Sequence, residues 1–426
     1  MRKIVITGGK RLRVHCTVHG AKNALLPILA ASLMASSPVT VENCPPLADV
    51  LVMEELLRDL GCTVQRDGQR VHIDARTLSS FTMNERLMHR LRSSIFMLGP
   101  LLGRMKQASV GYPGGCDIGI RPIDLHLKGL RQLGAAVTES DGRIFCRTEN
   151  LTGGEVYLDY PSVGATENIM MAASLASGAT VILNAAKEPE IVDLQAFINK
   201  MGGRVSGGGT GRIVIHGVEA LNGCTFSAIP DRIVTGTYMI AGAITGGEIT
   251  VSPVVPEHIA ALTRKLREGG CRIEEKNDTL VLCAPARLKS AHRVETLPYP
   301  GFPTDLQSPM MALEAVADGT CFLTENVFEN RFRLAGELNK MGAEITVRDR
   351  MAVIRGTERL HGTAVYTHDL RSGAALVLAG LAAQGKTTVW DDGLIARGYW
   401  DLCEQLRSLG AEITDTEEKH GQEEKK

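Results

Sequence analysis

The sequence lacks an excess of charge of either sign, which excludes several classes of binding protein. Its 426 residues contain 47 basic and 48 acidic side chains, for a formal net charge of -1. Proteins that attract nucleic acids or anionic membranes over a distance usually carry a basic excess. We therefore expect no nucleic-acid partner and no membrane partner. Any anion must be bound by local clusters of arginine and lysine.

The ten cysteines follow neither the spacing of a metal site nor that of a disulfide framework. The chain has no C-x-x-C motif and no cysteines and histidines paired at the spacing of zinc ligands. Scattered cysteines in a chain of this length are typical of reduced thiols in the cytoplasm, many of them small buried apolar residues. We predict a cytoplasmic protein without a metal site.

The sequence matches none of three familiar motifs: a phosphate loop, a dinucleotide-binding motif and a secretory signal. The glycine run at residues 206–211 lacks the Lys-Ser/Thr of a phosphate loop and precedes a strand-like segment, so a hairpin turn is favoured over a nucleotide cradle. No G-x-G-x-x-G follows a strand, which disfavours a dinucleotide-binding domain. The apolar residues 24–35 mimic a secretory signal, but they begin too late and are too few to cross a membrane. We expect a buried helix there.

An internal repeat is the main organisational signal. A glycine that follows a helix-like stretch and precedes a strand-like stretch recurs about every 70 residues, and such periodicity is typical of repeated structural units. The six glycines are Gly61, Gly134, Gly202, Gly270, Gly342 and Gly410. Each copy reads as helix, strand, second helix, glycine turn and paired strands. The first helix of several copies is apolar nearly all round, which indicates a core position.

These repeats predict an α/β protein with two domains of three units each. A chain of 426 residues is too long for one ordinary core. The boundary is expected after the third unit, near Ile229. The charged residues 414–426 contain few apolar side chains and are expected to form a frayed tail.

Charged side chains recur at one position of the repeat, the start of the first helix. Cations oppose the helix macrodipole there, so their recurrence indicates an anionic ligand such as a phosphate or carboxylate in a cleft between the domains. Scattered surface cations are the alternative. The residues at this position are Lys22, Arg92, Arg232, Asp305 and Arg371, with Gly164 in the third copy. In the second loop of the repeat, Arg121, Arg331 and Arg397 occupy similar places.

Residues 112–126 form a glycine-rich segment that carries Cys116, followed by Arg121 and Asp124. A cysteine near cations can act as an acid or a nucleophile, although a single loop cysteine is more often incidental. The order Pro-Gly-Gly-Cys-x-Ile-Gly-x-Arg-Pro-x-Asp-Leu-His closely resembles the active-site loop of the UDP-N-acetylglucosamine enolpyruvyl transferases. The resemblance extends over roughly residues 3–412. Its other motifs lie at residues 20–23, 91–94, 162–166, 188–193, 230–232, 302–307, 325–332 and 369–371.

The resemblance implies a fold and a reaction. The fold would be a two-domain inside-out α/β barrel of six repeated units, with one domain at residues 22–229 and the other at 1–21 plus 230–426. The reaction would transfer the enolpyruvyl group of phosphoenolpyruvate to the 3′-hydroxyl of UDP-N-acetylglucosamine and release phosphate, the first committed step of peptidoglycan synthesis. No metal or organic cofactor is expected.

The resemblance also assigns roles to residues of this chain. Cys116 would be the proton donor and Asp305 the base, while Lys22, Arg121 and Arg397 would contact phosphoenolpyruvate. Lys22 and Arg397 would thereby belong to the catalytic set. The implied sugar-nucleotide site comprises Asn23, Arg92, Arg121, Pro122, Ile123, Asp124, Leu125, Tyr160, Pro161, Ser162, Val163, Asp305 and Val327. Arg331, Asp369 and Arg371 complete the substrate-binding set.

Two departures from the family pattern leave an alternative open. The family often has a basic residue where Ala48 stands and an aspartate where Ala396 stands. A divergent paralogue could bind UDP-N-acetylglucosamine in a regulatory role with little turnover. The shikimate-pathway enolpyruvyl transferase shares the implied fold but lacks the cysteine loop. A pure repeat scaffold would not need charges at its helix starts.

Overall fold

The computed structural model of the chain describes residues 1–112, 118–119 and 122–417. Two compact units emerge from its packing. Of the described residues, unit one comprises 1–18, 118–119 and 230–417, and unit two comprises 19–112 and 122–229. The predicted domain boundaries at residues 22 and 229 stay a prediction.

The described part of unit two contains three small sheets, one for each of its repeats. In each four-stranded sheet, the strand between the repeat's two helices runs parallel to a short strand at the sheet edge. On its other side, it runs antiparallel to the nearer strand of a hairpin. The first sheet has the order Thr225–Ser227, Val39–Glu42, Arg70–Asp74, Thr63–Asp67. The second has the order Gln107–Gly111, Arg143–Arg147, Ala136–Ser140. The third has the order Arg204–Ser206, Arg212–His216, Ala179–Leu183, Glu155–Tyr157.

Unit one repeats the pattern in three further sheets, and the N-terminal segment contributes a strand to two of them. The fourth sheet has the order Arg272–Lys276, Thr279–Cys283, Glu248–Ser252, Arg13–Thr17. The fifth has the order Arg293–Glu295, Thr320–Thr324, Met351–Arg355, Glu344–Arg348. The sixth has the order Ala364–Tyr366, Lys386–Asp391, Arg2–Thr7, Glu412–Glu417. Because strand Arg2–Thr7 pairs with both its neighbours, the first residues of the chain complete the last repeat.

Two helices accompany each sheet. The first helices of the repeats are Lys22–Ala31, Leu98–Met105, Val163–Ala173, Arg232–Ile244, Gln307–Glu314 and Leu370–Ala382. The second helices are Ala48–Asp59, Asp124–Gln132, Pro189–Lys200, Ala260–Glu268, Leu334–Lys340 and Leu402–Ser408. One further short α-helix lies at Glu85–Arg90. The 3₁₀ turns of the described residues are Ser32–Met34, Ala75–Thr77, Arg92–Met97, Pro256–Ile259, Thr304–Leu306, Arg331–Arg333 and Ile395–Arg397.

The first helices form the interior of each unit, as their apolar sequences predicted. Every residue of Leu370–Ala382 except the last is buried. In unit one, a single apolar cluster extends from Ile4 to Ile413 and joins all three repeats. Burying such a helix on all sides removes its whole surface from water, which is the main stabilising contribution to each unit.

The six repeat glycines each end a second helix in the left-handed backbone region. Their φ angles lie between 87° and 99°. Only glycine adopts this region at little cost, so the helix can stop and the chain can turn into the next strand. The sequence signal and the structural turn therefore coincide at Gly61, Gly134, Gly202, Gly270, Gly342 and Gly410.

The structure also tests the segments that resembled other motifs. The glycine run lies in the hairpin between Arg204–Ser206 and Arg212–His216, as predicted. The signal-like run is the helix Lys22–Ala31, in which all residues but Asn23 are buried. None of the helices in the described part of the chain is long and apolar enough to cross a membrane.

The expectation of a frayed tail from residue 414 is wrong for its first part. Residues Thr414 to Glu417 lie in strand Glu412–Glu417, where Thr414 pairs with Val5 and Glu417 with Arg2. Arg2 also binds Asp415. An alternating strand with one buried side chain, Ile413, was hidden by the polar composition of this segment. Residues 418–426 lie outside the described residues.

Candidate functional site

Among the described residues of unit one, Asp305 forms ion pairs with two arginines. Arg331 Nη2 donates to Asp305 Oδ1 at 2.6 Å, and Arg371 Nη2 donates to Asp305 Oδ2 at 2.9 Å. The two arginine side chains are 2% exposed, whereas the Asp305 side chain is 23% exposed. The carboxylate therefore binds two buried cations and is itself partly exposed to solvent.

Three elements bring this network together. Asp305 lies in the 3₁₀ turn Thr304–Leu306, which precedes the first helix of the fifth repeat. Arg331 begins the 3₁₀ turn before that repeat's second helix. Arg371 lies in the first turn of helix Leu370–Ala382. Two helix starts, from repeats five and six of unit one, thus meet at one carboxylate. The predicted cleft between the domains stays a prediction.

An aromatic ring covers each of the two arginines. Phe328 lies 5.2 Å from the guanidinium carbon of Arg331, and Tyr399 lies 5.2 Å from that of Arg371. Burial alone lowers the pKa of Arg371, but the negative charge of Asp305 and its polar neighbours raise it above its ordinary value. Such stacking and desolvation hold a guanidinium group in a fixed orientation.

Arg331 has donors that no described residue accepts from, since its Nε and Nη1 are buried without a hydrogen-bond partner among the described residues. Arg371 differs because the Tyr399 hydroxyl also forms a hydrogen bond with it. Leaving a buried charged donor unpaired costs free energy. Donors of this kind are suited to receive an anionic or carbonyl group of a ligand.

Asp369 caps the N-terminus of helix Leu370–Ala382. Its Oδ1 accepts from the backbone nitrogens of Arg371 and Ser372 at 2.8 and 3.1 Å, and the Ser372 hydroxyl accepts from its backbone nitrogen. This reciprocal capping box fixes the start of the helix that carries Arg371. Its place in the substrate-binding set stays a prediction.

Arg397 is the last residue of the 3₁₀ turn Ile395–Arg397 and is half-buried. The buried carboxylate of Asp391 accepts from the backbone nitrogens of Leu394 and Ile395 at 3.0 and 3.4 Å. These bonds fix the start of the turn. Ala396, where the family usually has aspartate, lies inside it.

Lys22 is the corresponding cation of unit two. It is the first residue of helix Lys22–Ala31, is 8% exposed, and donates from Nζ to Asp49 Oδ2 at 3.1 Å. Asp49 is 3% exposed and lies in the first turn of helix Ala48–Asp59. The residue before the helix that Lys22 begins is Ala21, whose side chain makes no capping hydrogen bond. Its start therefore presents backbone N–H groups beside an ammonium group, an arrangement that favours an anion.

The predicted sugar-nucleotide residues of unit two lie on segments that one polar cluster connects. Asn168 Nδ2 donates to Ile95 O at 2.8 Å and lies 3.0 Å from His126 Nδ1, while Asn168 Oδ1 accepts from Gly99 N at 2.6 Å. Since Gly99 N–H can only donate, the amide orientation follows, and His126 Nδ1 accepts. Burial, and then the charge of Arg92, lower the pKa of His126 to about 4.

These segments carry three groups of predicted contacts. Arg92 begins the 3₁₀ turn Arg92–Met97, and burial lowers its pKa. The residues before His126 are exposed or half-buried: Pro122, Ile123, Asp124 and Leu125. The residues before helix Val163–Ala173 are Tyr160, which is 46% exposed, Pro161 and Ser162, whose hydroxyl accepts from Ala165 N. Asn23, Val163 and Val327 are half-buried.

Cys116 and Arg121 lie outside the described residues. Their assignments as proton donor and phosphoenolpyruvate contact stay predictions. The other nine cysteines form no disulfide bond and are buried or half-buried. Among the described residues there is no cluster of His, Cys, Asp and Glu that could hold a metal ion.

Sequence reasoning missed the residues that orient the site. Asp49 stands beside the noted Ala48, and its pairing with Lys22 spans 27 residues, which no local pattern reveals. Glu325 was part of a quoted motif, but its buried carboxylate was given no role. His126 likewise ends the cysteine-loop motif. Polar residues directly after strands or at helix starts are the signal that could have identified these positions.

The family described as EPSP synthase (3-phosphoshikimate 1-carboxyvinyltransferase) matches residues 6–417. Among solved structures, the enolpyruvyl transferase NikO from Streptomyces tendae superposes with a TM-score of 0.88 at 27% identity, over 97% of this chain and 99% of that one. The chain therefore belongs to the enolpyruvyl transferase family, and its predicted α/β fold of the inside-out barrel type is confirmed.

Curated relatives indicate a particular branch of that family. UDP-N-acetylglucosamine 1-carboxyvinyltransferase 2 of Caldanaerobacter subterraneus subsp. tengcongensis is 50% identical over 97% of this chain and 99% of its own. UDP-N-acetylglucosamine 1-carboxyvinyltransferase 1 of Symbiobacterium thermophilum is 51% identical over 97% of this chain and 95% of its own. The resemblance seen in the cysteine loop is confirmed over nearly the whole chain.

Proposed function

We propose that this protein transfers the enolpyruvyl group of phosphoenolpyruvate to the 3′-hydroxyl of UDP-N-acetylglucosamine and releases phosphate. The observation that carries the proposal is the identity of 50% and 51%, over 97% of the chain, to relatives named for this activity. We place the reaction in the cytoplasm, at the first committed step of peptidoglycan synthesis.

Asp305 suits the role of the base for the sugar hydroxyl. Its two oxygens offer about four acceptor sites, of which Arg331 and Arg371 occupy one on each oxygen. The Asp305 side chain is 23% exposed, so a hydroxyl donor can reach it. As Asp305 takes the hydroxyl proton, the sugar oxygen bonds to the central carbon of phosphoenolpyruvate.

A proton must reach the methylene carbon in the same addition, and we assign it to the Cys116 thiol. The addition gives a tetrahedral intermediate that still carries the phosphate group. The Cys116 thiolate then takes a proton back from the new methyl group, and phosphate departs with the proton that Asp305 holds, which restores the double bond. The atoms balance without a metal or an organic cofactor.

The cations supply charge stabilisation for this sequence. Phosphoenolpyruvate carries a phosphate and a carboxylate, and we assign them to Lys22, Arg121 and Arg397. Lys22 is held by Asp49, so its ammonium group is oriented before a ligand binds. Preoriented cations stabilise developing charge without reorganising during the reaction.

The sugar nucleotide is assigned to the segments around Arg92, residues 122–125 and residues 160–163, with Asn23 and Val327. In unit two, the three backbone segments are joined through His126 and Asn168. Asp305, Arg331 and Arg371 receive the sugar end. Asp369 acts through the helix start that it caps.

The acceptor decides between the two branches of the family. The purified protein is incubated with phosphoenolpyruvate and either UDP-N-acetylglucosamine or 3-phosphoshikimate, and products are identified by mass spectrometry. The proposal predicts an enolpyruvyl adduct of UDP-N-acetylglucosamine alone. An adduct of 3-phosphoshikimate alone would reassign the chain to the other branch, and tight binding of the sugar nucleotide without any adduct would indicate a regulatory protein.

A further inference from the structure

The Glu325 carboxylate is a buried hub outside the substrate-binding set. It directly follows strand Thr320–Thr324 and is 0% exposed. Oε1 accepts from Thr296 Oγ1 at 2.9 Å, Val327 N at 2.8 Å and Phe328 N at 3.0 Å. Oε2 accepts from Thr304 Oγ1 at 2.9 Å. Both oxygens of a buried acid are thus satisfied by four donors.

These four donors lie next to residues of the proposed site. Thr304 immediately precedes Asp305 within the 3₁₀ turn Thr304–Leu306. Val327 is a proposed sugar-nucleotide contact, and Phe328 covers the guanidinium group of Arg331. One carboxylate therefore connects the segment that carries the base with the segment that carries one of its two arginine partners.

The sixth repeat contains a partly similar arrangement, in which one carboxylate oxygen of Asp391 accepts the bonds and Oδ2 has no partner among the described residues. Asp391, at the end of strand Lys386–Asp391, is 0% exposed and accepts from Thr367 Oγ1 at 3.1 Å and from the backbone nitrogens of Leu394 and Ile395. Thr367 follows the short parallel strand of its sheet, as Thr296 does in the fifth repeat. In both repeats, a strand-end acid and a threonine fix the turn that leads to an arginine.

We infer that Glu325 is a positioning residue for the proposed enolpyruvyl transfer, which orients Asp305 through Thr304 and orients Arg331 through the backbone of Val327 and Phe328. Asp391 has the same task for Arg397. The inference rests on the proposed function for its kinetic consequence and on the hydrogen bonds of unit one for its structural consequence. Glu325 itself contacts no reacting atom.

The chemistry of the hub predicts a different outcome for two substitutions. In Glu325→Gln, the amide oxygen accepts the three bonds that Oε1 accepts now, and the amide nitrogen donates to the Thr304 hydroxyl, which can reverse its role. In Glu325→Ala, two backbone N–H groups and two hydroxyls lose their acceptor. Hydrogen bonds to a charged group are strong. Their loss in Glu325→Ala is therefore expected to lower the rate of enolpyruvyl transfer by about tenfold or more.

The kinetic test compares these variants with a control on the same sheet, Glu344→Ala, which changes an exposed side chain of strand Glu344–Arg348. Rates are expressed per folded molecule, with folding measured by thermal melting. We expect Glu325→Ala to lower kcat/KM for UDP-N-acetylglucosamine by about tenfold or more, and Glu325→Gln to stay within about threefold of wild type. A folded Glu325→Ala with wild-type kcat and KM, or a Glu325→Gln as impaired as Glu325→Ala, would overturn the inference.

A second measurement needs no turnover and separates this inference from the proposed function. Hydrogen–deuterium exchange is followed for peptides that cover residues 303–308 and 325–333. We expect faster exchange in both peptides for Glu325→Ala and wild-type exchange for Glu325→Gln and Glu344→Ala. If the wild type makes no product, the proposed function fails while the exchange still decides the role of Glu325. Unchanged exchange in Glu325→Ala contradicts that role.

Discussion

Arg371 Nη2 lies 2.9 Å from Asp305 Oδ2, and the two side chains differ in burial. The arginine side chain is 2% exposed and the aspartate side chain 23%. The charge that stays in the interior is the cation, and the group that reaches the surface of unit one is the acceptor. Removing the buried partner or the exposed partner therefore has different consequences for stability and for chemistry.

The first prediction concerns Asp305→Ala. This change leaves the guanidinium groups of Arg331 and Arg371 buried without their shared carboxylate, and breaking a buried pair in this way costs about 3 kcal/mol. We expect the free energy of unfolding, measured in urea, to fall by about that amount. We also expect kcat to fall by at least about a hundredfold because the proposed base is gone.

A matched control for this variant is Asp318→Ala, because the Asp318 side chain is 71% exposed and its pairing with Arg287 is long, at 3.9 Å. Neither stability nor kcat should change in it. A stable Asp305→Ala that retains kcat would show that the carboxylate neither neutralises the arginines nor acts as base.

The second prediction concerns the partner of Lys22. In Asp49→Asn, the Lys22 ammonium group loses the carboxylate that holds it at 3.1 Å. We expect KM for phosphoenolpyruvate to rise several-fold while KM for UDP-N-acetylglucosamine changes little, since Lys22 is assigned to phosphoenolpyruvate. Steady-state kinetics with each substrate varied in turn measures both constants.

The exposed pair of Arg76 with Asp74 provides the comparison for Asp49→Asn. Asp74→Asn removes an ion pair of the same type from the surface, where such pairs contribute little. Its kinetic constants should equal those of wild type. Equal KM values for phosphoenolpyruvate in Asp49→Asn and wild type would mean that Asp49 does not position Lys22.

The third prediction concerns two glycines that differ in the space around them. A Cβ at Gly20 would lie 1.9 Å from the carbonyl oxygen of Asn43, and Gly20 N also donates to Asn43 Oδ1 at 2.9 Å. Gly20→Ala must therefore displace the backbone that leads into the helix of Lys22, with a loss of stability and of phosphoenolpyruvate binding. Thermal melting and KM for phosphoenolpyruvate are the measurements.

Gly336→Ala is the opposite case. Gly336 lies in helix Leu334–Lys340, and a Cβ there meets nothing within 4 Å. Alanine stabilises an exposed helix position by about 0.5–1 kcal/mol relative to glycine. If Gly20→Ala melted like Gly336→Ala, the close approach of Gly20 to Asn43 would carry no energetic weight.

The fourth prediction concerns pH. Because burial lowers the pKa of His126 to about 4, against a usual value near 6.5, the unfolded chain binds a proton at this residue before the folded chain does. Its contribution to stability is therefore fully present above the unfolded pKa and is lost as pH falls from about 6.5 to about 4. We expect His126→Asn to be less dependent on pH than wild type in this window.

The difference between wild type and His126→Asn isolates the contribution of His126 from that of Asp193. The contribution of Asp193 to stability depends on pH with the opposite sign. Burial raises the pKa of Asp193 to about 7, so its contribution is present below its unfolded pKa and is lost as pH rises through about 7. The measurement is the free energy of unfolding in urea at several pH values for both proteins. Parallel curves would show that His126 is not buried in the neutral form.

Local patterns predicted the repeats because their signals are local. Glycines with φ near 90° end the second helices, and all-apolar stretches such as Leu370–Ala382 form the interior. Counting back from the glycines placed Lys22 and Arg371 at helix starts, and both lie in the first turn of their helices. Arg92 instead begins the 3₁₀ turn that precedes helix Leu98–Met105. These features depend on a few neighbouring residues and are visible without a partner.

Long-range pairings were not predictable in the same way. Strand Glu412–Glu417 forms because residues Arg2–Thr7 lie beside it, and its own sequence is mostly polar. The Lys22–Asp49 pair and the Glu325 hub join segments 27 and up to 29 residues apart. Their side chains meet only after sheets and helices have packed, so no spacing in the sequence specifies them.

The most direct test of the central claim is phosphate release by wild type, Cys116→Ser and the half-buried control Cys283→Ser, with each substrate omitted in turn. The account predicts release by wild type and Cys283→Ser only when phosphoenolpyruvate and UDP-N-acetylglucosamine are both present, and a large loss in Cys116→Ser. Release that needs only one substrate, or no release from wild type with both, would contradict enolpyruvyl transfer by this protein.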